Sequence, residues 1–382
     1  MHSSGQEVFT SSLKVALVHS FYSSRNPSGE NAAVLQQAEA MRRAGYEVEV
    51  FAQRTDEREL GRLYPIEASI TVSTGIGPKP LLGEFEPDVI HIHNLFPNYG
   101  KKWIRSVSAP VVSTMHNYRP LCAAGTFYRG SESCTACLDR DSSIPAIVHG
   151  CYRGRLQSVP VSIGQRFANE PVLADSDALI VLSEQMREMY ARAGVPWTRM
   201  HTLPNFLPQE LDCGPGEGDG GYWLYAGRLS QEKGVLELLR KWPKGHRLIL
   251  VGSGDLEDEV RSFASDDVIL MGAVSRGQLL TLMQDAVGVV FPSRCFEGFP
   301  LVYPEALSAG TPILTWEPNV VSRLVSSELT GLVGGLEDIG NLLDHAYEFF
   351  PRIRAHCRTV YEEKYTEKKW IPALGTVYQS IL

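Results

Sequence analysis

The chain of 382 residues lacks long apolar runs, an excess of basic residues and a dense set of cysteines. No apolar run approaches the roughly 18 residues that a transmembrane helix needs. The opening residues, MHSSGQEVFTSS, have neither a basic segment nor an apolar core, so we expect no secretory signal and a cytoplasmic location. Seven cysteines in a reducing compartment do not indicate a disulfide framework.

The negative charge is concentrated in the second half of the sequence. Residues 1–205 contain 20 basic and 20 acidic side chains, whereas the whole chain has a net charge of −8. A neutral first half gives no support for nucleic acid or a strongly polyanionic partner. Lys101, Lys102, Trp103 and Arg105 form a short basic and aromatic cluster, which could make weak peripheral contact with anionic lipid; a solvated helix face is the simpler interpretation.

Short apolar runs that end at polar or turn residues recur through the first half. Such runs are typical of buried parallel strands. We predict strands at Lys14–His19, Glu47–Ala52, Val89–His93, Val111–Met115 and Ala178–Leu182. A helix predicted over Glu30–Ala44 links the first two and ends at Gly45. This pattern predicts an α/β fold with a doubly wound parallel sheet.

A second α/β series follows a stretch rich in glycine, proline and acidic residues, 207–221, which we interpret as a linker. The strands predicted after it are Tyr222–Ala226, Arg247–Val251, Val268–Met271, Val287–Phe291 and Pro312–Thr315. We therefore expect an N-terminal domain over 1–206 and a C-terminal domain over 222–360. The final segment, 361–382, is predicted to form two helical pieces broken at Pro372.

Two glutamates mark a candidate site near the fourth strand of this second series. Glu297 and Glu305 are separated by seven residues, and the intervening sequence predicts a loop followed by a helix that ends at Gly310. This region at the carboxyl end of a parallel strand is where open α/β sheets bind ligands. Carboxylates accept paired hydrogen bonds from neighbouring hydroxyls, which suits sugar and ribose diols. Stabilisation of a helix N-terminus is the alternative reading, and it fits Glu297 better than Glu305.

Four motifs, in the expected order, resemble retaining glycosyltransferase family 4. They are HN at 116–117, YAGRLSQEKG at 225–234, VGSGDL at 251–256 and EGFPLVYPEALSAGTP at 297–312. The resemblance covers most of the chain. It implies the GT-B fold, in which two doubly wound Rossmann-like domains face a central cleft and the last helix crosses back to the first domain.

The resemblance also implies roles for individual side chains. Arg228 and Lys233 would hold the donor diphosphate and stabilise its charge as the bond to the sugar breaks. Glu297 would hold hydroxyls of the transferred sugar, and Glu305 would hold the ribose. His116 would contact the donor sugar near the reacting carbon. Without the other motifs, ordinary surface salt bridges and a structural histidine would be the simpler interpretations.

Main-chain groups complete the donor site that the resemblance implies. Gly29 and Glu30 match a glycine-containing loop that approaches donor and acceptor. Three backbone NH groups between the two glutamates are expected to face the donor: those of Phe299, Leu301 and Val302. Pro300 replaces the glycine that is commoner in the family and has no NH to contribute. The GlySerGly at 252–254 implies a contact near the nucleobase, although a tight turn alone would also explain it.

Four of the seven cysteines form a separate group, consisting of Cys122, Cys134, Cys137 and Cys151. The C-x2-C pair is a common zinc chelate, and the two flanking cysteines complete a tetrahedral set. The alternative is four small apolar side chains or reactive thiols. A bound zinc ion would be structural, ordering a loop on the acceptor side.

These inferences predict a retaining glycosyltransferase that transfers a hexosyl or N-acetylhexosaminyl group from a nucleoside diphosphate sugar, expected to be UDP-linked, to an acceptor hydroxyl. The acceptor is expected to be a small aglycone, such as an aminocyclitol, or a cell-surface glycan precursor. Catalysis is predicted to need no metal. A GT-B epimerase and a non-catalytic binding subunit are the alternatives; the latter is disfavoured because both basic residues and both glutamates are present.

Overall fold

The computed structural model describes residues 13–23, 29–59 and 61–382. The predictions about residues 1–12, including the absent secretory signal, lie outside the described part. Two six-stranded sheets, each wholly parallel, form the framework of the chain. This arrangement confirms the predicted α/β fold with two doubly wound domains.

The N-terminal domain alternates strands and helices around the first sheet. Its strands are β1 (Lys14–Phe21), β2 (Glu47–Arg54), β3 (Val89–Asn94), β4 (Val111–Met115), β7 (Ala178–Val181) and β8 (Met200–Thr202), with β5 (Tyr128–Arg129) and β6 (Glu132–Ser133) forming a small hairpin. Its helices are α1 (Gly29–Arg43), α2 (Thr55–Arg58), α3 (Tyr64–Thr74), α4 (Ala136–Asp139), α5 (Ile144–His149), α6 (Arg155–Gly164), α7 (Pro171–Ala174) and α8 (Glu184–Arg192). The strand order is β2-β1-β3-β4-β7-β8.

The C-terminal domain repeats this architecture. Its strands are β9 (Trp223–Ala226), β10 (Leu248–Val251), β11 (Val268–Gly272), β12 (Gly288–Phe291), β13 (Ile313–Trp316) and β14 (Gly331–Gly334). Its helices are α9 (Val235–Lys241), α10 (Glu257–Phe263), α11 (Arg276–Asp285), α12 (Val302–Ser308), α13 (Val320–Glu328), α14 (Ile339–Lys364) and α15 (Glu367–Gln379). The order β11-β10-β9-β12-β13-β14 reverses direction between β9 and β12, which is where such sheets bind ligands.

The end of the chain differs from the prediction, which placed a helix break at Pro372. Pro372 lies inside α15, and the break falls instead between α14 and α15. Thr366 has extended backbone there and forms a parallel bridge with Leu207, whose NH donates to the Tyr365 carbonyl at 2.9 Å. The helix therefore stops because its main chain pairs with the segment that leaves the first domain.

Helix α15 returns to the N-terminal domain. Trp370 and Leu374 are buried with Val15 and Leu17 of β1 in one apolar cluster. The Tyr378 hydroxyl lies 2.7 Å from Nδ1 of His91, which is also buried. None of the described helices is long and apolar enough to cross a membrane.

The segment between the two domains is held by two arginines of α14. Arg354 donates to the main-chain oxygens of Gly216 and Ala286, at 2.8 and 3.0 Å. Arg358 binds both carboxylate oxygens of Asp212, at 2.5 and 2.9 Å. These contacts attach 212–216 to the C-terminal domain. The chain passes between the two domains near Leu207 and again near Tyr365 and Thr366, and these two passages pair with each other.

Candidate active site

A cleft of about 1670 Å³ separates the two domains. Its N-terminal wall includes Gly29 and His116, and its C-terminal wall includes Arg228, Lys233 and Glu297. Residues more than 260 positions apart in sequence therefore face the same space. The structure brings together the side chains that the sequence motifs predicted, with the exception of Glu305.

The central feature of the C-terminal wall is an ion pair. Lys233, which follows β9, donates to Oε2 of Glu297, which follows β12, at a distance of 2.6 Å. Burial alone would lower the pKa of Lys233, but attraction to Glu297 and their hydrogen bond raise it above its usual value. The second carboxylate oxygen of Glu297, Oε1, is buried and has no hydrogen-bond partner among the described residues. Glu297 thus presents an unpaired acceptor beside the cleft.

Arg228 is more exposed than this pair. Its guanidinium lies 3.3 Å from Glu232, and its side chain is 58 % exposed, so a cleft ligand can compete for it. The loop that carries Arg228 is fixed by Tyr225, whose hydroxyl donates to the Arg228 carbonyl at 2.7 Å. Gly234 ends the loop with φ of +71°, and a Cβ there would overlap the Pro292 carbonyl, so this backbone path requires glycine.

Glu305 lies apart from the cleft surface. It is buried in α12, and the residues that line the cleft end at Val302, one turn before it. Its Oε1 contacts Arg276 at 2.5 Å. Burial raises the pKa of Glu305, and the Arg276 guanidinium offsets only part of that effect. The predicted ribose contact therefore requires a ligand that reaches behind the loop and shares Glu305 with Arg276.

A cluster of histidines lies at the N-terminal wall, and His116 is the member of this cluster that lines the cleft. His116 follows β4, and its Nε2 lies 3.0 Å from Nδ1 of His93 on β3. The rings of His93 and His91 stack at 4.3 Å between centroids. Burial lowers the pKa of His116 to about 3 and that of His19 to about 4. These imidazoles are therefore neutral at physiological pH, each with one donor and one acceptor nitrogen.

A partly buried carboxylate lies on the same wall. Glu30 follows Gly29 at the start of α1 and accepts a hydrogen bond from Asn117 at 2.9 Å. Its other oxygen, Oε1, is buried without a hydrogen-bond partner among the described residues. Burial raises the pKa of Glu30 to about 7, with Asn117 and Arg119 opposing the shift. A group of this kind gains or loses a proton close to neutral pH.

The loop between the two glutamates touches the N-terminal domain directly. A Cβ at Gly298 would approach the His116 carbonyl oxygen to 2.7 Å, so only glycine allows this approach. Asn205 donates to the Phe299 carbonyl at 3.2 Å, and Phe296 donates its NH to the Thr126 carbonyl at 3.0 Å. Phe299, Leu301 and Val302 line the cleft, as the prediction of main-chain contacts requires.

The GlySerGly turn has a packing role. A Cβ at Gly252 would overlap the Gly227 carbonyl, and a Cβ at Gly254 would overlap the Leu229 carbonyl. These glycines let the 252–254 turn lie against the loop that carries Arg228. Residues 252–254 are not among the described residues that line the cleft, so their contact with a nucleobase stays a prediction.

The four cysteines of the predicted zinc site converge on one place. Cys122, Cys134, Cys137 and Cys151 line a single small apolar cavity of about 20 Å³, and all four are free thiols. Burial raises the pKa of Cys137 to about 11, and the nearby Cys122 adds to the shift. Within the described ranges, however, no three His, Cys, Asp or Glu side chains are arranged to hold a metal ion. Zinc binding would require the thiols to move closer together.

Several residues in or next to the cleft received no role from the motif-based prediction. His93 and Asn117 act through contacts between neighbouring strand ends, and their signal was available: polar residues end β3 and follow β4, and these two strands are adjacent and parallel. Arg276 follows the N-cap of α11 and carries no motif. Asn205 lies just before the predicted linker, and nothing in its local sequence indicates that it reaches Phe299.

Two family models match this chain over most of its length. Residues 27–211 match the model described as Glycosyltransferase Family 4, and residues 221–349 match the one described as Glycosyl transferases group 1. The chain belongs to this glycosyltransferase family. The resemblance inferred from four motifs is confirmed, and the activity of the family is transfer of a sugar.

Curated relatives are similar at low identity. The phosphatidyl-myo-inositol mannosyltransferase of Mycolicibacterium smegmatis is 25 % identical over 343 residues, 83 % of this glycosyltransferase and 80 % of that protein. The lipopolysaccharide 1,2-N-acetylglucosaminetransferase of Salmonella typhimurium is 27 % identical over 192 residues, which is 43 % of this chain. That match spans only half the length of the Salmonella protein.

Solved structures share the whole fold. The sucrose-phosphate synthase of Thermosynechococcus elongatus superposes with a TM-score of 0.70 at 18 % identity, covering 96 % of this chain and 98 % of that one. Anabaena HepE in complex with UDP superposes with a TM-score of 0.61 at 16 % identity, covering 96 % and 100 %. At such identities the likeness establishes the GT-B architecture.

Proposed function

We propose that this glycosyltransferase is a retaining enzyme that takes a hexosyl or N-acetylhexosaminyl group from a UDP-sugar and transfers it to an acceptor hydroxyl. The observation that carries the proposal is the Lys233–Glu297 pair at the cleft. Lys233 is a largely buried cation at the position that the family motif assigns to the diphosphate, and Glu297 has one oxygen, Oε1, left for a sugar hydroxyl. A nucleoside diphosphate sugar supplies partners for both groups at once.

The choice of UDP draws on related structures. Anabaena HepE, which shares this fold, has been solved with UDP and with UDP-glucose. In the proposed complex, Arg228 joins Lys233 on the diphosphate, and Glu305 takes the ribose. As the glycosidic bond breaks, negative charge grows on the leaving diphosphate, and these two cations stabilise it electrostatically. That role needs no metal ion.

Retention of configuration is the mechanistic part of the proposal. In this scheme the acceptor attacks from the face that the diphosphate leaves, and the leaving phosphate accepts the acceptor's proton. His116 is neutral, so its role is to hold a sugar oxygen by a hydrogen bond rather than to supply charge. The acceptor is a cell-surface glycan precursor or a small aglycone; the names of two relatives, a phosphatidyl-myo-inositol mannosyltransferase and a lipopolysaccharide transferase, favour the precursor.

A panel of UDP-, GDP- and ADP-sugars, measured by calorimetry and by slow donor hydrolysis, tests the donor. We expect UDP-sugars to bind best and Glu297→Gln to weaken sugar-dependent affinity while leaving UDP affinity nearly unchanged. Tighter binding of another base would overturn the UDP assignment. With the best donor and an accepted acceptor, NMR of the product's anomeric carbon tests retention, and an inverted product would contradict it.

A further inference from the structure

Helix α6 has its apolar character on the wrong side for an ordinary surface helix. Its buried residues include Ser158, Ser162 and Gly164, whereas Leu156 and Ile163 point to solvent with 84 % and 59 % of their surface exposed. A helix of a soluble domain normally buries its large aliphatic side chains and exposes its polar ones. Apolar side chains on the outer side of this helix therefore indicate that it contacts another apolar surface.

Neighbouring helices extend this stripe. Helix α6 packs against α3 and α5, and the Ser143 hydroxyl before α5 donates to the Ser162 carbonyl of α6 at 2.8 Å. Together the three helices present an exposed aliphatic face, each side chain between 52 % and 84 % exposed, consisting of Leu63, Ile66, Ile70, Ile144, Leu156 and Ile163. The three residues of α3 and its N-cap recur at helical spacing, so they lie on one side of that helix.

Positive charge borders the aliphatic face. Residues 140–166, which contain α5 and α6, carry four arginines and one acidic residue, Asp141. The four guanidinium groups, on Arg140, Arg153, Arg155 and Arg166, are exposed and form no salt bridge with any residue in the described ranges. Ile144, Leu156 and Ile163 alternate in sequence with these arginines, and the acidic Glu67 of α3 is paired with Arg58. This mixture of apolar and basic side chains matches the chemistry of an anionic lipid surface, which offers acyl chains and phosphates together.

The face also borders the opening of the cleft. Tyr64 and Pro65 of α3 and Gln157 and Pro160 of α6 line the cleft, and each lies within one helical turn of a residue of the aliphatic face. We propose that the aliphatic face of α3, α5 and α6 docks on an anionic lipid bilayer and holds the cleft opening at the headgroups. The docking itself does not depend on the proposed donor or on sugar transfer. The idea that docking brings the cleft to a lipid-borne acceptor rests on the proposed function.

Sedimentation with vesicles tests the docking. Wild-type protein is mixed with vesicles of phosphatidylcholine alone or of phosphatidylcholine with phosphatidylglycerol, at low and high salt. We expect binding to the anionic vesicles that weakens with salt. Leu156→Gln combined with Ile163→Gln should weaken this binding about tenfold or more, because two aliphatic side chains no longer leave water. Phe263→Gln, at an exposed position on α10 of the other domain, is the matched control and should bind like wild type.

Charge reversal gives an independent arm. Arg155→Glu with Arg166→Glu should remove the preference for anionic vesicles, whereas Lys244→Glu, on the C-terminal domain, should not. The proposal is overturned if wild-type protein ignores both kinds of vesicle, or if the Leu156 and Ile163 variant binds as well as wild type. It is also overturned if sizing shows a dimer that this variant separates, since the face would then join two copies. UDP binding by calorimetry, without vesicles, reports separately on the proposed function.

Discussion

The two walls of the cleft have a similar architecture and differ in the charge of the groups that follow their central strands. The C-terminal wall holds formal charges: the Lys233–Glu297 pair and the exposed Arg228. At the N-terminal wall, burial lowers the pKa of His116 to about 3 and that of nearby His19 to about 4, so both are uncharged near neutral pH, while charged side chains such as Arg62 and Arg119 line this wall elsewhere. Both walls follow the carboxyl ends of parallel strands. The difference therefore arises from the loop sequences and from burial, and the sheets themselves are alike.

This contrast suggests a division of work. Fixed cations suit a diphosphate, whose charge increases as it leaves, because preorganised charges need no rearrangement at the moment of reaction. Neutral imidazoles and amides suit hydroxyl groups, which need oriented donors and acceptors without a net charge. Below, the charged wall means the Lys233–Glu297 pair and Arg228 of the C-terminal wall, and the neutral wall means the uncharged histidines and neighbouring groups of the N-terminal wall. The experiments test whether the charged wall determines donor binding and turnover, and what the neutral wall contributes.

Removing the cation of the charged wall should have the largest effect. Lys233→Ala is expected to reduce turnover at saturating donor by about 10²- to 10³-fold, as is typical when one group that stabilises developing charge is lost. Arg228→Ala should reduce it less, since that side chain is more exposed. Turnover is measured under single-turnover conditions, with Lys244→Ala as the exposed control on the same domain.

The loss of Lys233 also leaves Glu297 unpaired in a largely buried place, which can lower stability. The double variant Lys233→Ala with Glu297→Gln removes that charge and separates the two effects. Near-normal turnover in Lys233→Ala, together with a much lower unfolding midpoint that the double variant restores, would assign the pair a structural role.

Glu305 is the second test of the charged wall. Glu305→Ala should raise the dissociation constant for UDP-sugar by about 10- to 100-fold, because a hydrogen bond to a charged group contributes roughly 1.5–3 kcal/mol. Glu305→Gln keeps the shape and should lose less. Calorimetry on both variants measures the effect, and affinity for donor equal to that of wild type would remove Glu305 from the site. The carboxylate of Glu305 would then serve its ion pair with Arg276.

The sequence predicted the position of a site residue correctly where the residues next to it along the chain determine that position. Glu297 was predicted on a loop because a four-residue apolar strand precedes it and glycine and proline follow. The prediction failed where the outcome depends on contacts between distant segments. Arg276 reaches Glu305 from another helix, and the break at Tyr365 depends on pairing with Leu207. Neither pairing leaves a local pattern.

The cysteine cavity provides a test on the side of the neutral wall. If its thiols converge on zinc, purified protein should contain about one equivalent, since structural sites use four ligands per ion. Cys134→Ser should then lower the unfolding midpoint and increase proteolysis within 122–151, while UDP affinity is unchanged. Cys213→Ser, outside the cavity, is the matched control. Well under one equivalent of zinc, with thiols that react freely, would end the zinc prediction.

Glu30 gives the smallest effect and tests the neutral wall through pH. Its pKa in the folded protein is about 7, against an ordinary value of 4.5. Between these values the folded state keeps a proton that the unfolded state has released, so the contribution of Glu30 to stability falls as pH rises through this window and stays low above it. Glutamine cannot ionise. Glu30→Gln should therefore gain stability relative to wild type progressively from about pH 4.5 to 7.

The histidines titrate with the opposite sign over part of the same range. Because the pKa values of His116 and His19 are lowered from 6.5, their contribution to stability is present above 6.5 and is lost as pH falls toward 3 or 4. That contribution is common to wild type and variant, so it cancels in the difference between their free energies of unfolding, measured with urea at each pH. Glu49→Gln, at an exposed position on β2, is the control variant. A constant difference for Glu30→Gln would mean that Glu30 is solvated and ionised like any surface carboxylate, and Glu30 would then carry a charge at pH 7.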